Sequence, residues 1–481
     1  MLLAGLYCFL VTSLVLLAYS FFDVLPSNTW SSNELRPITG SAWTVWTGWY
    51  HTPRPMQRRR HGYFLHITDM HIDSHYVANG SAASACHRAE YILQKKTKKA
   101  AGRLGAPGMK CDAPEVLAQE TLAWLERTWA DKLDFVVWTG DNARHDWDKK
   151  RCQAIRRKRQ EVLDTNQQVV DWMATAMKNI PVIPSLGNND VWPHNQVQGA
   201  DAMLAAYHHM WQPWIPASQD RSLRRGGYYY VDVDPRLRVV ALNSMLWFHK
   251  NKAVHSCKKE GPARAHLTWL EGLLQDARAS RQAVLLTGHV PPSPKDYRSS
   301  CFGAYVALTT RYADVICGQL FGHLNMDHFL LYSDQPQMQT SRNIEKYVGW
   351  LRNMYASVAD LDHGLVDDNA PALAAVQVSP SVLPAYYPAV RIYKYDLDAQ
   401  PRKTLRSYAQ YYANITRWEQ EHKIDEPLEY EIEYTTDEYS LPDLSAESLF
   451  GMVKRMVQDD DSSLWNTYTR NMFVRTQNDT F

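Results

Sequence analysis

The chain has 481 residues, of which 45% are hydrophobic and 12% aromatic, and its formal net charge is +1. That length and apolar content supply one large core, or a core with an attached lobe. The near-zero balance excludes a polycation acting through its overall charge, and no nucleic-acid partner is expected.

Residues 1–22 are apolar except for Thr12, Ser13 and Ser20, and are enough to cross a bilayer as one helix. No Lys or Arg precedes the run, and Ala18-Tyr19-Ser20 only loosely resembles a small-residue cleavage site. An uncleaved signal-anchor transmembrane helix is the expectation, with a removed signal peptide as its alternative. Both put the remaining chain outside the cytosol. Residues 23–60, rich in Ser, Thr, Pro and Trp without a sustained period, read as a stalk. Sequons at Asn79, Asn414 and Asn478 agree with a luminal body. Beyond Cys8 there are six cysteines. Cys86 with Cys111, and Cys257 with Cys301, each bracket one loop-like insertion and are expected to pair in an oxidising compartment. Cys317 lies in a strand-like run, and no spacing matches a structural zinc site.

The body is expected over residues 61–399, with strands and helices alternating. YFLHIT leads to Asp69-Met70-His71, followed by a basic insertion over residues 76–110. Asp112 is placed to cap a helix, with Pro114 in its first turn and Ala118, Leu122, Leu125 and Trp129 on one face. FVVWT leads to Gly140-Asp141, and a second basic insertion covers residues 149–166. PVIPSL leads to Gly187-Asn188-Asn189-Asp190. The run YYYVDV and residues 238–242 suggest a second sheet. A helix starting near Pro262, with Leu267, Leu270 and Leu274 inward, leads to AVLLT and then Gly288-His289. VICGQLF leads to Gly322-His323-Leu324-Asn325. Beyond residue 399 charged and aromatic residues dominate. Helix-like stretches at 405–412 and 445–458 make 400–481 a C-terminal helical extension packed on the body.

Alone, Asp-x-His and Gly-Asp are accidental patterns, and a His beside Gly is a turn residue. Five such motifs, each after a strand-like run, are a different matter. In open α/β sheets, ligands bind beyond the carboxyl ends of strands. All five offer oxygen or imidazole donors, the kind that hold hard or borderline divalent cations. Basic runs at residues 58–60, 95–99, 149–151 and 156–159 read singly as solvated loops. Two of them flank Asp141, where they also supply a field that gathers a polyanion.

The motif order resembles that of the calcineurin-like metallophosphoesterases: Asp-x-His, Gly-Asp, Gly-Asn-His, Gly-His and Gly-His-x-His. The resemblance implies an α/β fold, a four-layer αββα double-sheet sandwich of the metallophosphoesterase type. It also implies two divalent metal ions (Mn, Mg, Co or Zn). Carried over, Asp69, His71, Asp141 and Asn325 hold one metal, and Asp141, Asn188, His289 and His323 the other. Asp141 bridges both, and a bridging hydroxide attacks phosphorus in line with the leaving oxygen.

The chain departs from that pattern twice. Asn325 stands at the last His ligand, which favours a harder ion and leaves His328 as a substitute. Asn189 stands at the His that usually assists the leaving group. An alkoxide needs a proton, whereas a phosphate leaving group has a second pKa near ~6, so the change suits a phosphoanhydride. His145 and His194 remain as candidate proton donors, each with the alternative of a loop imidazole bonded to backbone. Arg144 is the candidate substrate contact, with a surface Arg as its alternative.

GDNARHD, PSLGNNDVWPHN, GHVPPS and FGHLNMDHF are similar to the acid-sphingomyelinase-like branch of this family. Within it they are most similar to the vacuolar endopolyphosphatases, where Gly-Asn-Asn-Asp replaces Gly-Asn-His-Glu. VSPSVLPAYYPAVRIYKYD, YAQYYANITRW and EYEIEYTTDEYSLPDL extend the similarity toward the C-terminus. It implies internal cleavage of inorganic polyphosphate by a single-pass type II protein of the vacuole membrane, with its catalytic domain in the lumen. One alternative is an acid sphingomyelinase-like phosphodiesterase, against which stands a stalk without a cysteine-rich lipid module. The other is a membrane-tethered binding protein with a decayed metal site, suggested by Asn189 and Asn325.

Overall fold

The computed structural model describes residues 59–88, 100–147, 155–334, 344–360, 373–398, 404–423, 425–458 and 463–476. The apolar run 1–22, the stalk to residue 58, the basic runs 95–99 and 149–151, and Asn478 lie outside them. Among the described residues no helix is long and apolar enough to cross a membrane. Two compact units result. The described part of the small one is Asp146, Trp147 and residues 155–157, where the Arg157 N–H donates to Asp146 Oδ1 at 3.4 Å. The rest of the description concerns the large unit.

The strands are β1 (His61–Ile67), β2 (Phe135–Trp138), β3 (Val182–Pro184), β4 (Tyr229–Asp234), β5 (Leu237–Ala241), β6 (Ala283–Thr287), β7 (Ile316–Phe321), β8 (His328–Tyr332), β9 (Ala374–Val378), β10 (Ala389–Asp396), β11 (Leu405–Tyr412) and β12 (Glu431–Thr435). They form two mixed six-stranded sheets, ordered β12-β11-β10-β1-β2-β3 and β4-β5-β6-β7-β9-β8. Strands β1, β2 and β3 run parallel in the first, and β5, β6, β7 and β9 in the second. FVVW and AVLLT are buried at every position, as parallel strands covered on both faces require. The sheets meet through side chains. The Tyr229 hydroxyl donates to Pro184 O at 2.8 Å, and the Tyr393 hydroxyl to Gln377 Oε1 at 3.0 Å. With its helices this is an α/β sandwich.

Three local expectations change. Residues 405–412 form strand β11, not a helix. Leu405, Tyr408, Gln410 and Tyr412 are buried while Arg406 is exposed, and pairing with β10 and β12 decides the outcome over local propensity. The first sheet therefore continues past residue 399, although the helix Ala446–Val457 does form. It is capped by Ser445 Oγ, which accepts the Ser448 N–H at 3.2 Å. Asp112 does not cap the helix Glu115–Thr128; Pro114 occupies that place, and the carboxylate turns toward His145. In the helix Pro262–Ser280, Leu270 and Leu274 are buried but Leu267 only partly. Cys86 pairs with Cys111 and Cys257 with Cys301, while Cys317 joins neither disulfide and lies half-buried with its Sγ 3.4 Å from Val284 O.

Candidate metal centre

The five motif loops leave the carboxyl ends of β1, β2, β3, β6 and β7. Their backbone is unusual. Asp69, His71, Asp141, His323 and Asn325 all adopt left-handed φ, between 45° and 71°. Non-glycine residues rarely do so, at up to about 1–3 kcal/mol each, and such residues cluster where side chains must be aimed. Two motif glycines allow the close approach. A Cβ on Gly187 would collide with Asp141 Oδ1, and one on Gly322 with Thr68 Oγ1.

Three groups of ligand atoms converge to within 4.8 Å: Asp69, His71 and Asp141; Asp141, His289 and His323; His71, Asp112 and His145. Asp141 belongs to the first two. His71 Nε2 lies 3.3 Å from Asp69 Oδ1 and 3.5 Å from Asp141 Oδ2. His289 Nε2 lies 3.1 Å from Asp141 Oδ2 and 3.0 Å from Asn188 Oδ1. His323 Nδ1 lies 3.1 Å from His289 Nε2, and its backbone N–H donates to Asp69 Oδ2 at 2.9 Å. Asn325 follows two residues later. Its Oδ1 is buried and has no hydrogen-bond partner among the described residues.

The surrounding groups aim these ligands. Thr139 O accepts a hydrogen bond from His289 Nδ1–H at 2.8 Å, so Nε2 faces Asp141. The Thr68 hydroxyl donates to Asp69 Oδ2 at 2.6 Å. Asp190 accepts the N–H groups of Asp141, Asn142, Ala143 and Gly187 at 2.7–3.2 Å, tying the loop after β2 to the loop after β3. Asn188 Nδ2 lies 3.1 Å from His194 Nε2, which leaves the amide oxygen toward His289.

Electrostatics follow from burial and crowding. Burial lowers His71, but the hydrogen bond to Asp69 and the charges of Asp141, Asp69 and Asp112 outweigh it and raise it to about 9. Burial likewise lowers His289, and Asp141 followed by Asp69 raises it to about 9. Burial would raise Asp141, yet the charge and hydrogen bond of His289 hold it well below the usual carboxylate range. His323 is pushed well down, first by burial and then by His289. Clustered carboxylates thus draw protons onto two imidazoles, and divalent cations would supply the same positive charge. The donor set of carboxylate, imidazole and amide oxygen, with the orphaned Asn325 Oδ1 beside it, fits such ions.

The candidate catalytic residues fare differently. His145 stacks on His71, with ring centroids 4.2 Å apart at 10°. Asp112 holds it twice, through Nδ1 at 2.7 Å and the backbone N–H at 2.8 Å. Asp112 escaped the sequence reading because an Asp before a helix looks like a cap; its only other signal is the neighbouring Cys111. Asn189 is not free to face a substrate. Its N–H donates to Asp141 Oδ1 at 2.7 Å and its Nδ2 to Oδ2 at 2.8 Å. Arg144 is not a surface residue. It is 2% exposed, with Nε 2.6 Å from Glu161 Oε1 and 3.6 Å from Asp73 Oδ1. His328 is no substitute ligand: burial lowers it to about 3, and it contacts Met326 O and the Tyr347 hydroxyl.

Residues 62–326 match the calcineurin-like phosphoesterase family, and residues 369–481 the acid sphingomyelin phosphodiesterase C-terminal region. A Cryptococcus neoformans protein named endopolyphosphatase is 34% identical over 429 residues, 76% of this chain and 63% of that one. A Saccharomyces cerevisiae protein of the same name is 37% identical over 287 residues, 57% of this chain and 42% of that one. One from Debaryomyces hansenii is 37% identical over 298 residues, 59% and 40% respectively. The chain spans less than two thirds of the length of these relatives.

Proposed function

The chain belongs to the calcineurin-like phosphoesterase family, and from that premise we propose that it hydrolyses phosphoanhydride bonds within inorganic polyphosphate to give shorter chains. The observation that carries this reading is the engagement of Asn189 by Asp141. Where an imidazole would assist a poor leaving group, this chain has an amide whose hydrogen bonds are spent on a ligand carboxylate. A phosphate leaving group tolerates that loss, because its basicity is low. The name carried by its relatives agrees.

Asp69, His71, Asp141 and Asn325 would hold one divalent cation, and Asp141, Asn188, His289 and His323 a second. When bound, such a pair lowers the pKa of a water and neutralises phosphoryl oxygens. The chain's own groups do the rest. Asn189 and the Asn189 N–H fix the Asp141 carboxylate. Thr139 O fixes the His289 tautomer. Asp112 fixes the His145 ring through Nδ1, the orientation a proton donor to a departing oxygen would need. His194 orients Asn188.

The two sheets are read as the inner layers of an αββα sandwich. Residues 1–22 are read as the anchor of a type II protein in the vacuole membrane, with residues 23–60 as its stalk. Two disulfides support a luminal body. Protease protection of the body in intact vacuoles would test that placement. The hydrolase reading is tested by supplying long-chain polyphosphate with Mn²⁺, Mg²⁺, Co²⁺ or Zn²⁺ and following chain length on a gel. Undiminished length under every metal overturns it.

The match of residues 369–481 to a sphingomyelin phosphodiesterase region favours a second reading, an acid sphingomyelinase-like phosphodiesterase. Release of phosphocholine from sphingomyelin would rank it first.

A further inference from the structure

Beside the metal centre, on the second-sheet side, two loop segments run antiparallel. Phe248 bridges Tyr297, the His249 N–H donates to Asp296 O at 2.8 Å, and the Arg298 N–H donates to Trp247 O at 2.9 Å. Lys250 and Lys295 follow in the adjoining turns, closed by the Asn251 N–H donating to Phe248 O at 3.1 Å and the Asp296 N–H donating to Ser293 O at 3.2 Å. Neither ammonium has an ion-pair partner among the described residues. Each instead lies over an aromatic ring, Lys250 at 5.4 Å from the Phe248 centroid and Lys295 at 5.5 Å from that of Tyr347. The Asp296 carboxylate between them turns inward and accepts from Ser293 Oγ at 2.7 Å. Burial pushes that carboxyl up, while both lysines pull it down, so both charges act at one point.

The pair is held close to the centre. The Phe248 ring meets His323 edge-on at 5.4 Å. The loop is rigidly anchored: buried Asn251 Nδ2 donates to Val197 O at 2.8 Å and Met245 O at 2.9 Å, and the Cys257–Cys301 disulfide closes it. Two cations on a fixed platform beside a phosphoesterase centre have the chemistry of an anion subsite.

We propose that Lys250 and Lys295 form a shelf that binds phosphate units of a linear polyphosphate beyond the bond being cut. This rests on the hydrolase reading above and adds to it the residues that favour a long polyanion over a short one.

The test compares the full chain, K250Q/K295Q and K250R/K295R in turnover of long-chain polyphosphate and triphosphate across a salt series. A second arm measures equilibrium binding of long-chain polyphosphate in EDTA. The shelf predicts that the Gln pair raises KM for the long chain by ~10-fold or more, removes most of its advantage over triphosphate, and flattens the log-log salt slope of binding by roughly one to two. The Arg pair should stay near the parent, and the Gln pair should melt no lower than the parent. Unaltered binding and salt slope in the Gln pair overturn the shelf. So does an Arg pair as impaired as the Gln pair, which would indicate packing. A parent chain that binds through these lysines but shortens nothing leaves the shelf standing and sinks the hydrolase reading.

Discussion

The rim of the metal centre and the antiparallel flank of the first sheet both bury charge, in contrasting ways. On the flank, Arg391 pairs with Asp327, which also accepts from the Tyr434 hydroxyl. Arg391 Nε donates to Gln410 Oε1 at 2.8 Å, and Gln410 Nε2 to Glu433 Oε2 at 2.7 Å. The backbone of all these residues is ordinary. At the rim, the ionisable partners of Asp69 and Asp141 are imidazoles, and the backbone of five candidate ligands is left-handed. The flank neutralises itself with a guanidinium. The rim borrows protons that a cation can displace, and its backbone strain is worth holding only if something binds there.

The widest separation between the two regions should come from Asp141→Asn. It keeps the shape of the residue shared by two ligand groups, and kcat/KM is expected to fall by at least about 10⁴-fold with loss of bound metal. Steady-state kinetics and elemental analysis check this; full activity would remove Asp141 from the ligand set. Arg391→Met should do the reverse. Leaving Asp327 buried without its partner costs about 3–5 kcal/mol in denaturant unfolding, while activity per folded molecule holds. Lost catalysis at unchanged stability would mean that the flank reaches the site.

This contrast also explains what the sequence disclosed. The ligand motifs are legible because each is a polar residue type at the end of an apolar strand, a local pattern, and Asp69, Asp141 and His289 occupy such places. Ring partners and ion pairs are long-range and leave no local trace. Asp112 reaches His145 across 33 residues, and Glu161 reaches Arg144 across 17 in a part-buried pair. Strand β11 was hidden because YAQYY has no β-branched residue; its identity comes from pairing with β10 and β12. Asn189 was visible as a departure, but its bonds to Asp141 needed coordinates.

A smaller effect is expected from Asn325→Ala. Its orphaned Oδ1 would serve one cation only, so apparent metal affinity should fall about 10–100-fold, read by titration of metal-stripped protein. Equal affinity would assign that oxygen to strain and bring the rim closer to the flank in kind.

A pH series tests the flank itself. Glu433 is 2% exposed, and burial raises it from 4.5 to about 8, so the folded chain keeps a proton that the unfolded chain releases. Below pH 4.5 both states carry the proton and the residue confers no pH dependence. As pH rises from 4.5 to about 8, unfolding releases a proton, and stability falls by about 1.4 kcal/mol per pH unit from this group. Above that window both states are ionised and the slope ends. Glu433→Gln retains an acceptor for Gln410 and has nothing to titrate. It should match the parent below pH 4.5, flatten the stability profile across the window, and exceed the parent at its alkaline end. Urea midpoints measured across the window decide it. An unchanged slope in the variant would place the flank's titration elsewhere, and would make the flank, like the rim, a region whose charge balance its own side chains do not complete.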